Sequence, residues 1–280
     1  MKRLFSVLFA LTSAVVILIT AVDFDASRSD EYNDAPAMAK KAIVEQNRQR
    51  SSKRSDSSTE TKPSKKKSFF VGNAPFEYAD EVEFTTLINI NNRLKNDFVP
   101  SDLVYVYELV DTQLVTLNYR YTQADKTALT AFCDMMQAAH EDGVDGFFLR
   151  NVYRSYEMQE GLWNKRIKAD SNYGRRKGEP LGSAYPGSSE HQTGLAFDIT
   201  CVSSPEASTN FKNTENYRWL RKNSYKFGFV LRYQAGKEKL TGIKFEPYHY
   251  RYVGKELAKE LYTKNICLEE YFNSPVKWEK

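Results

Sequence analysis

Histidine and carboxylate residues come close together in two short segments of this 280-residue chain. The first segment contains His191 and Asp198, and the second contains Glu246 and His249. The chain has only three His, so two of the three lie in these segments. Two imidazoles and one carboxylate, with a fourth position left open, are the ligand set of a catalytic zinc site. Of Glu246 and His249, one is predicted to bind the metal and the other to carry protons.

The turns around these residues decide whether the side chains can meet. Asp198 follows His191 at an odd spacing and lies in a predicted strand, so on a regular strand the two side chains would face opposite ways. We therefore expect the chain to turn at Gly194, which lies between them. Glu246 and His249 are three positions apart with a proline between them, which favours a turn or a strand end over a helix.

The two segments resemble a known family of enzymes. The pattern Ser-Glu-His-x-x-Gly-x-Ala-x-Asp at 189–198, with Glu-Pro-Tyr-His-x-Arg-Tyr-Val-Gly at 246–254, is similar to the D-alanyl-D-alanine carboxypeptidase family of zinc peptidases. The similarity is to its VanY-like branch, which is related to the D-Ala-D-Ala dipeptidases and to the hedgehog-type zinc fold. Further similar segments, such as Tyr-Arg-Ser-Tyr at 153–156, extend the resemblance over nearly all of 84–254.

The resemblance implies a metal site and a proton carrier. Zinc (Zn2+) would be bound by His191, Asp198 and His249. Glu246 would be the general base that activates water and would then protonate the leaving amine.

The resemblance also implies three residues that act on the substrate. Arg154 would lie over the scissile carbonyl oxygen or the substrate carboxylate, where a fixed cation stabilises negative charge, so it is expected to be both catalytic and substrate-binding. Gln159 and Ser189 would hydrogen-bond the peptide. Before Tyr-Arg the family usually has Ser-Gly, whereas this chain has Asn151 and Val152.

Periodicity and turn residues predict an α+β domain in which helices flank a small, mostly antiparallel sheet. Strands are predicted at 84–90, 103–109, 146–152, 195–200 and 229–232. Helices are predicted at 125–139, 156–167 and 215–225, with a last helix that starts near Gly254. The mixed order of short strands and helices argues against a doubly wound parallel sheet.

The chain divides into three parts. Residues 1–22 contain an apolar run after two basic residues, and this run is long enough to span a bilayer as a helix. We interpret it as a signal anchor or a cleaved signal peptide, with its basic end in the cytoplasm. Residues 23–70 are predicted to be a disordered charged stem, and 71–280 the catalytic domain. The protein is therefore expected on the extracytoplasmic face of the cell membrane, or secreted if the signal is cleaved.

The net charge of +4 arises in the stem. Residues 40–67 carry ten Lys or Arg against three Asp or Glu, a net charge of +7, which leaves 68–280 with a net charge of −1. Because the folded part is not basic, the composition does not support nucleic-acid binding.

The third histidine and the three cysteines are expected to be structural. His140 shares a predicted helical face with Phe132 and Met136, which predicts a partly buried side chain that binds no metal. The cysteines, at positions 133, 201 and 267, form no C-x-x-C pair, so a zinc ribbon and a dense disulfide framework are excluded.

The function implied by the resemblance is zinc-dependent hydrolysis of the terminal D-Ala from peptidoglycan stem peptides. We expect a monomer that binds the stem peptide and the cytoplasmic membrane but no nucleic acid. An L,D-carboxypeptidase and a peptidoglycan endopeptidase remain open, because the motifs specify the metal machinery and not the scissile bond. A wall-binding module with a non-hydrolytic zinc site is a third alternative. A serine mechanism is not supported, since the chain has no Gly-x-Ser-x-Gly elbow.

Overall fold

The computed structural model describes residues 69–79 and 81–278. Within this described part, no helix is both long and apolar enough to cross a membrane. The predicted signal segment at 1–22 and nearly all of the predicted stem at 23–70 lie outside the described residues. Both therefore stay predictions.

The described residues form nine strands and six α-helices, joined by turns and short 3-10 helices. The strands are β1 (Glu77–Tyr78), β2 (Asn92–Arg93), β3 (Leu103–Tyr105), β4 (Val115–Leu117), β5 (Gln123–Asp125), β6 (Phe147–Asn151), β7 (Ala196–Cys201), β8 (Phe229–Leu231) and β9 (His249–Tyr252). The helices are α1 (Lys126–Glu141), α2 (Tyr156–Ala169), α3 (Glu215–Asn223), α4 (Glu238–Thr241), α5 (Lys255–Lys264) and α6 (Leu268–Tyr271).

A five-stranded sheet forms the centre of the fold, in the order β4-β6-β7-β9-β8. β4 and β6 are parallel, and the other neighbouring strands are antiparallel. This confirms the predicted α+β fold with a small, mostly antiparallel sheet. Every residue of β7 and β9 is buried, so both faces of these two strands are covered by the rest of the fold.

Helix α1 packs against the central strand. Asp125 caps the helix by accepting a hydrogen bond from the N–H of Ala128 at 2.9 Å. Leu129 and Phe132 lie on the buried face that the sequence predicts. Phe132 stacks on Phe197 of β7, with ring centroids 5.2 Å apart. The helix therefore supports β7, in which Asp198 is the residue that follows Phe197.

The predicted strand at 84–90 is wrong, since none of these residues forms a strand. The Asn89 side chain accepts hydrogen bonds from two backbone N–H groups that follow it, and this turns the chain. The guanidinium of Arg251 donates to the carbonyl oxygens of Phe84 and Thr86. Because a side chain satisfies these carbonyls, the segment needs no neighbouring strand.

Two smaller expectations also differ from the structure. The extended run at 103–109 is a strand only as far as Tyr105, because a 3-10 turn follows at Val106–Glu108. His140 is exposed, since it lies in the last turn of α1, where the helix reaches the surface. Its Nδ1 lies 2.7 Å from Asp145, and this hydrogen bond raises the pKa of His140.

Candidate metal centre and active site

Two neighbouring strands and the turn before them bring the predicted metal ligands together. Asp198 of β7 and His249 of β9 are direct partners across the antiparallel ladder, so their side chains lie on the same face. His191 lies in the short 3-10 turn that precedes β7. Gly194 ends this turn with φ 72°, and an added Cβ would come within 2.7 Å of Leu103. The bend predicted between His191 and Asp198 therefore lies at Gly194, and it requires glycine.

The metal-ligating atoms of His191, Asp198 and His249 all lie within 4.8 Å of one another, and all three residues are buried. Asp198 places Oδ2 3.2 Å from Nε2 of His191 and Oδ1 3.1 Å from Nδ1 of His249. The two imidazole rings are perpendicular, at 87°, with centroids 4.8 Å apart. The structure therefore brings together the three residues that the resemblance implies as ligands.

The hydrogen bonding of His191 suits a metal ligand. Its Nδ1 lies 2.6 Å from the carbonyl oxygen of Val152. Because a carbonyl can only accept, Nδ1 carries the proton and Nε2 presents an unprotonated lone pair towards Asp198. Burial lowers the pKa of His191, which favours the neutral ring that metal binding requires. Two ring nitrogens and one carboxylate oxygen are the donors of a catalytic zinc site, so these residues fit Zn2+.

Glu246 lies beside the three ligands and is not one of them. Its Oε2 is 3.7 Å from Nδ1 of His249. Its backbone N–H donates to the carbonyl of Tyr233, and its own carbonyl accepts from the N–H of His249, so a tight turn leads into β9. Burial raises the pKa of Glu246 to about 7, although the neighbouring His249 lowers it. A carboxyl group in this position can take up and release a proton.

Arg154 lines the same pocket as the three ligands. Its Nη1 donates to Oε1 of Gln159 at 2.5 Å. With the Asn151 amide oriented so that its oxygen faces Arg154, this oxygen accepts from Nη2 and, at 3.2 Å, from Nε of Arg154. Burial lowers the pKa of Arg154, and the charges of Asp198 and Glu246 oppose this shift. Asn151, which departs from the family pattern, thus helps to fix the guanidinium in the site.

Gln159 lies behind Arg154 and is fully buried. Its carboxamide nitrogen donates to the carbonyl of Ala184 at 2.6 Å and to Oγ of Ser183 at 3.2 Å, while its oxygen accepts from Arg154. Gln159 is not among the residues that line the pocket, whereas Ser189 is. This arrangement suits a residue that holds Arg154 in place. The resemblance implied a different role, in which Gln159 hydrogen-bonds the peptide.

One pocket of about 200 Å³ joins these side chains. Its wall includes the following residues singled out from the sequence: Arg154, Ser189, His191, Asp198, Glu246 and His249. Tyr233, Tyr248, Leu162 and Arg166 also line it. The pocket therefore offers aromatic, apolar and cationic surface beside a buried set of metal ligands.

A buried network of charges beside His249 is missing from the sequence-based prediction. Oε2 of Glu190 lies 3.3 Å from Nε2 of His249, and Oε1 of Glu190 accepts from Nε of Arg232 at 2.7 Å. Arg232 also forms two hydrogen bonds with Glu269, at 2.8 and 2.7 Å. The position of Glu190 directly before His191 is the one signal in the sequence, since the other members lie far along the chain.

A profile of the VanY family, described as D-alanyl-D-alanine carboxypeptidase, matches residues 121–255 of this chain. The putative carboxypeptidase YodJ of Bacillus subtilis (strain 168) is 37% identical over 192 residues. This alignment covers 68% of this chain and 67% of that protein.

Solved structures with the same fold include both LD- and D,D-peptidases. The LdcB LD-carboxypeptidase, solved to explain peptidoglycan recognition, has a TM-score of 0.61 and 33% identity, covering 73% of this chain and 95% of its own. VanYB in complex with D-alanine-D-alanine has a TM-score of 0.53 and 31% identity, covering 68% of this chain and 97% of its own. A mutant of the vancomycin resistance D,D-pentapeptidase VanY in complex with Zn(II) has a TM-score of 0.53 and 30% identity, covering 68% of this chain and 100% of its own.

Proposed function

Because the chain belongs to the VanY family of D-alanyl-D-alanine carboxypeptidases, we propose that it hydrolyses the terminal D-Ala from peptidoglycan stem peptides in a zinc-dependent reaction. One observation carries the proposal. The buried set of His191, Asp198 and His249 shares a pocket with a separate carboxylate, Glu246, and a partly buried cation, Arg154. Metal ligands, a proton carrier and an anion-binding group are the parts that peptide hydrolysis at a metal requires.

Glu246 is the proton carrier of the proposed reaction. Zinc held by the three ligands would polarise the scissile carbonyl and lower the pKa of an attacking water. Glu246 accepts the proton of that water and delivers it to the leaving amine of D-Ala. Its partial burial and its turn before β9 keep the carboxylate beside His249 without making it a ligand.

Arg154 binds negative charge on the substrate. Its guanidinium is held by Asn151 and Gln159, so it can meet the terminal carboxylate or the developing oxyanion without reorganisation. Arginine suits this role because its planar fork pairs with carboxylates in two-point geometry. Ser189 on the pocket wall is placed to contact the peptide.

The direct test is release of D-Ala by the full-length protein, purified in detergent. A stem pentapeptide is incubated with the protein before and after removal of zinc with a chelator, and after zinc is restored. We expect zinc-dependent release, lost in Glu246→Ala and retained in the control Glu256→Gln, which changes an exposed glutamate of α5. Release that survives complete zinc removal, or that persists in Glu246→Ala, would contradict the proposal.

An L,D-carboxypeptidase is the second candidate function. It is favoured by the LdcB LD-carboxypeptidase, which has the higher TM-score of the structures compared above, 0.61 against 0.53. Mass spectrometry of products from pentapeptide, tetrapeptide and cross-linked substrates separates a D,D-carboxypeptidase, an L,D-carboxypeptidase and an endopeptidase. The first candidate requires that the pentapeptide is the preferred substrate.

We further propose that the protein acts as a monomer on the extracytoplasmic face of the cell membrane, where its wall substrate lies. The apolar run within residues 1–22, preceded by two basic residues, supports this location. Accessibility of the catalytic domain to external protease, N-terminal sequencing of the membrane fraction and light scattering of the purified protein test location, cleavage and oligomeric state in turn.

A further inference from the structure

The side of His249 that faces away from Asp198 meets a buried carboxylate. Glu190 precedes His191 directly in the chain, and its side chain is fully buried. Its Oε2 lies 3.3 Å from Nε2 of His249, while Nδ1 of His249 lies 3.1 Å from Asp198. The same turn therefore supplies one ligand, His191, and a contact to the ring of another, His249.

This contact gives the proton of a metal-bound His249 an acceptor at Nε2. A neutral imidazole carries one N–H, and the other nitrogen is an acceptor. Both nitrogens of His249 face carboxylates, Glu190 at Nε2 and Asp198 at Nδ1. Because Asp198 is itself a ligand, a metal bound beside it would take the lone pair of Nδ1, and the one remaining proton would lie on Nε2, where Glu190 accepts it. His191 has the opposite arrangement, since Val152 accepts from its Nδ1.

Glu190 is itself held by two cations. Its Oε1 accepts from Nε of Arg232 at 2.7 Å and lies 3.3 Å from Nη1 of Arg251. All three side chains are buried. With one oxygen paired to guanidinium groups, Glu190 can direct only its second oxygen at His249.

A carboxylate from the last helix completes the network. Glu269 of α6 pairs with Arg232 through both oxygens, at 2.7 and 2.8 Å, and accepts from Asn89 at 3.2 Å. Glu269 and Asn89 both lie outside the matched segment 121–255. The two glutamates balance the two buried arginines, so removing one carboxylate leaves a buried charge without its partner.

We propose that Glu190 is a positioning residue that fixes the tautomer and orientation of His249, and that Arg232 and Glu269 hold Glu190 in place for this task. The α6 helix thereby contributes to metal affinity although it supplies no ligand. This inference rests on the zinc site of the proposed function and adds the groups outside the ligand set that determine how tightly the site holds zinc.

The first test measures zinc affinity of the full-length protein by competition with a chelator. Glu190→Gln keeps the side-chain shape but removes the charge, and we expect about 10–100-fold weaker zinc binding, as for other changes behind a ligating histidine. Glu269→Gln should weaken zinc binding in the same direction. The matched control is Glu270→Gln, the next residue of α6, which pairs with Lys237 and not with Arg232.

Thermal unfolding of the metal-free proteins separates this role from a general loss of structure. Weakening of zinc binding by Glu190→Gln and Glu269→Gln, but not by Glu270→Gln, in metal-free proteins that are fully folded at the assay temperature supports the proposal. Wild-type zinc affinity in a folded Glu190→Gln protein would overturn it. Equal weakening in all three variants would also overturn it, because the effect would then not depend on contact with Arg232.

A second measurement needs no variant. The chain has only three His, so the nitrogen-15 spectrum of zinc-bound, histidine-labelled protein is simple. We expect one ligand ring protonated on Nδ1, which is His191, and the other protonated on Nε2, which is His249. Two ligand rings protonated on Nδ1 would refute the role of Glu190. A protein that shows the expected spectrum but releases no D-Ala would refute the proposed function and leave this inference standing.

Discussion

The imidazole rings of His191 and His249 stand perpendicular, at 87°, with centroids 4.8 Å apart. This geometry points Nε2 of the first ring and Nδ1 of the second at the two oxygens of Asp198. Different contacts fix the two rings, a backbone carbonyl for His191 and Glu190 for His249. Separate contacts therefore orient the two histidine rings towards the same carboxylate, that of Asp198.

Replacing Asp198 by Asn should abolish zinc retention. The amide removes the only carboxylate among the three ligands, and with it the charge that both histidines face. We expect a larger loss of affinity than the roughly 10–100-fold that changes behind a ligand cause. Metal content and chelator competition measure it, with Asp145→Asn as the control, because Asp145 pairs with the exposed His140. Stoichiometric zinc in purified Asp198→Asn would contradict the assignment.

Replacing Arg154 by Lys should reduce kcat/KM by about 100–1,000-fold, the cost typical of losing a preorganised oxyanion donor. A lysine ammonium cannot reach both Asn151 and Gln159 in the geometry of the guanidinium fork. The control is Arg150→Lys, since Arg150 bonds a backbone carbonyl near the surface. Steady-state kinetics at saturating zinc provide the measurement. Near-normal kcat/KM in Arg154→Lys would show that positive charge alone is sufficient.

Sequence reasoning finds the ligands and misses the groups that hold them, for a physical reason. His191 and Asp198 lie within one short segment, so their types and spacing already indicate metal chemistry. Arg232 and Glu269 meet only after the fold forms. A single Arg or Glu in a sequence is usually an exposed residue, so neither indicates a buried network. The position of Gln159 behind Arg154 likewise depends on a contact with Ala184, which lies 25 positions further along the chain.

The elements of the fold also differ in how well the sequence predicts them. Helix α1 is predicted to within two residues, because its apolar face and its Asp125 cap are both local signals. The strand predicted at 84–90 fails because two of its carbonyls are bonded by Arg251, a partner far along the chain, and Asn89 turns the backbone. Local patterns therefore predict the elements with local caps and periodicity, and long-range side-chain contacts decide the rest.

The cysteine thiols should react slowly in the folded protein. All three cysteines are free, and Cys201 and Cys267 are buried. Burial raises the pKa of Cys133 and of Cys267 to about 11. At pH 8 only about 0.1% of such a thiol is thiolate, against roughly a quarter for an ordinary cysteine. Labelling with iodoacetamide should be slow at all three positions until guanidinium unfolds the protein, and fast labelling of native Cys267 would contradict the structure.

Replacing Gly194 by Ala should damage both stability and the metal site. The residue has φ 72°, and the new Cβ would lie 2.7 Å from Leu103 and 3.0 Å from the backbone nitrogen of Asp125. A left-handed alanine at such a site costs of order 1–3 kcal/mol, to which the clash adds. Gly143→Ala is the matched control, because Gly143 has φ 79° with nothing within 4 Å of an added Cβ.

The comparison separates backbone strain from the function of this turn. Both variants should lower the free energy of unfolding, measured by denaturant titration, with the larger loss in Gly194→Ala. Only Gly194→Ala should also weaken zinc binding, because this turn sets the direction of His191 relative to Asp198. If Gly194→Ala bound zinc as tightly as Gly143→Ala, the bend would be a requirement of the fold alone and not of the metal centre.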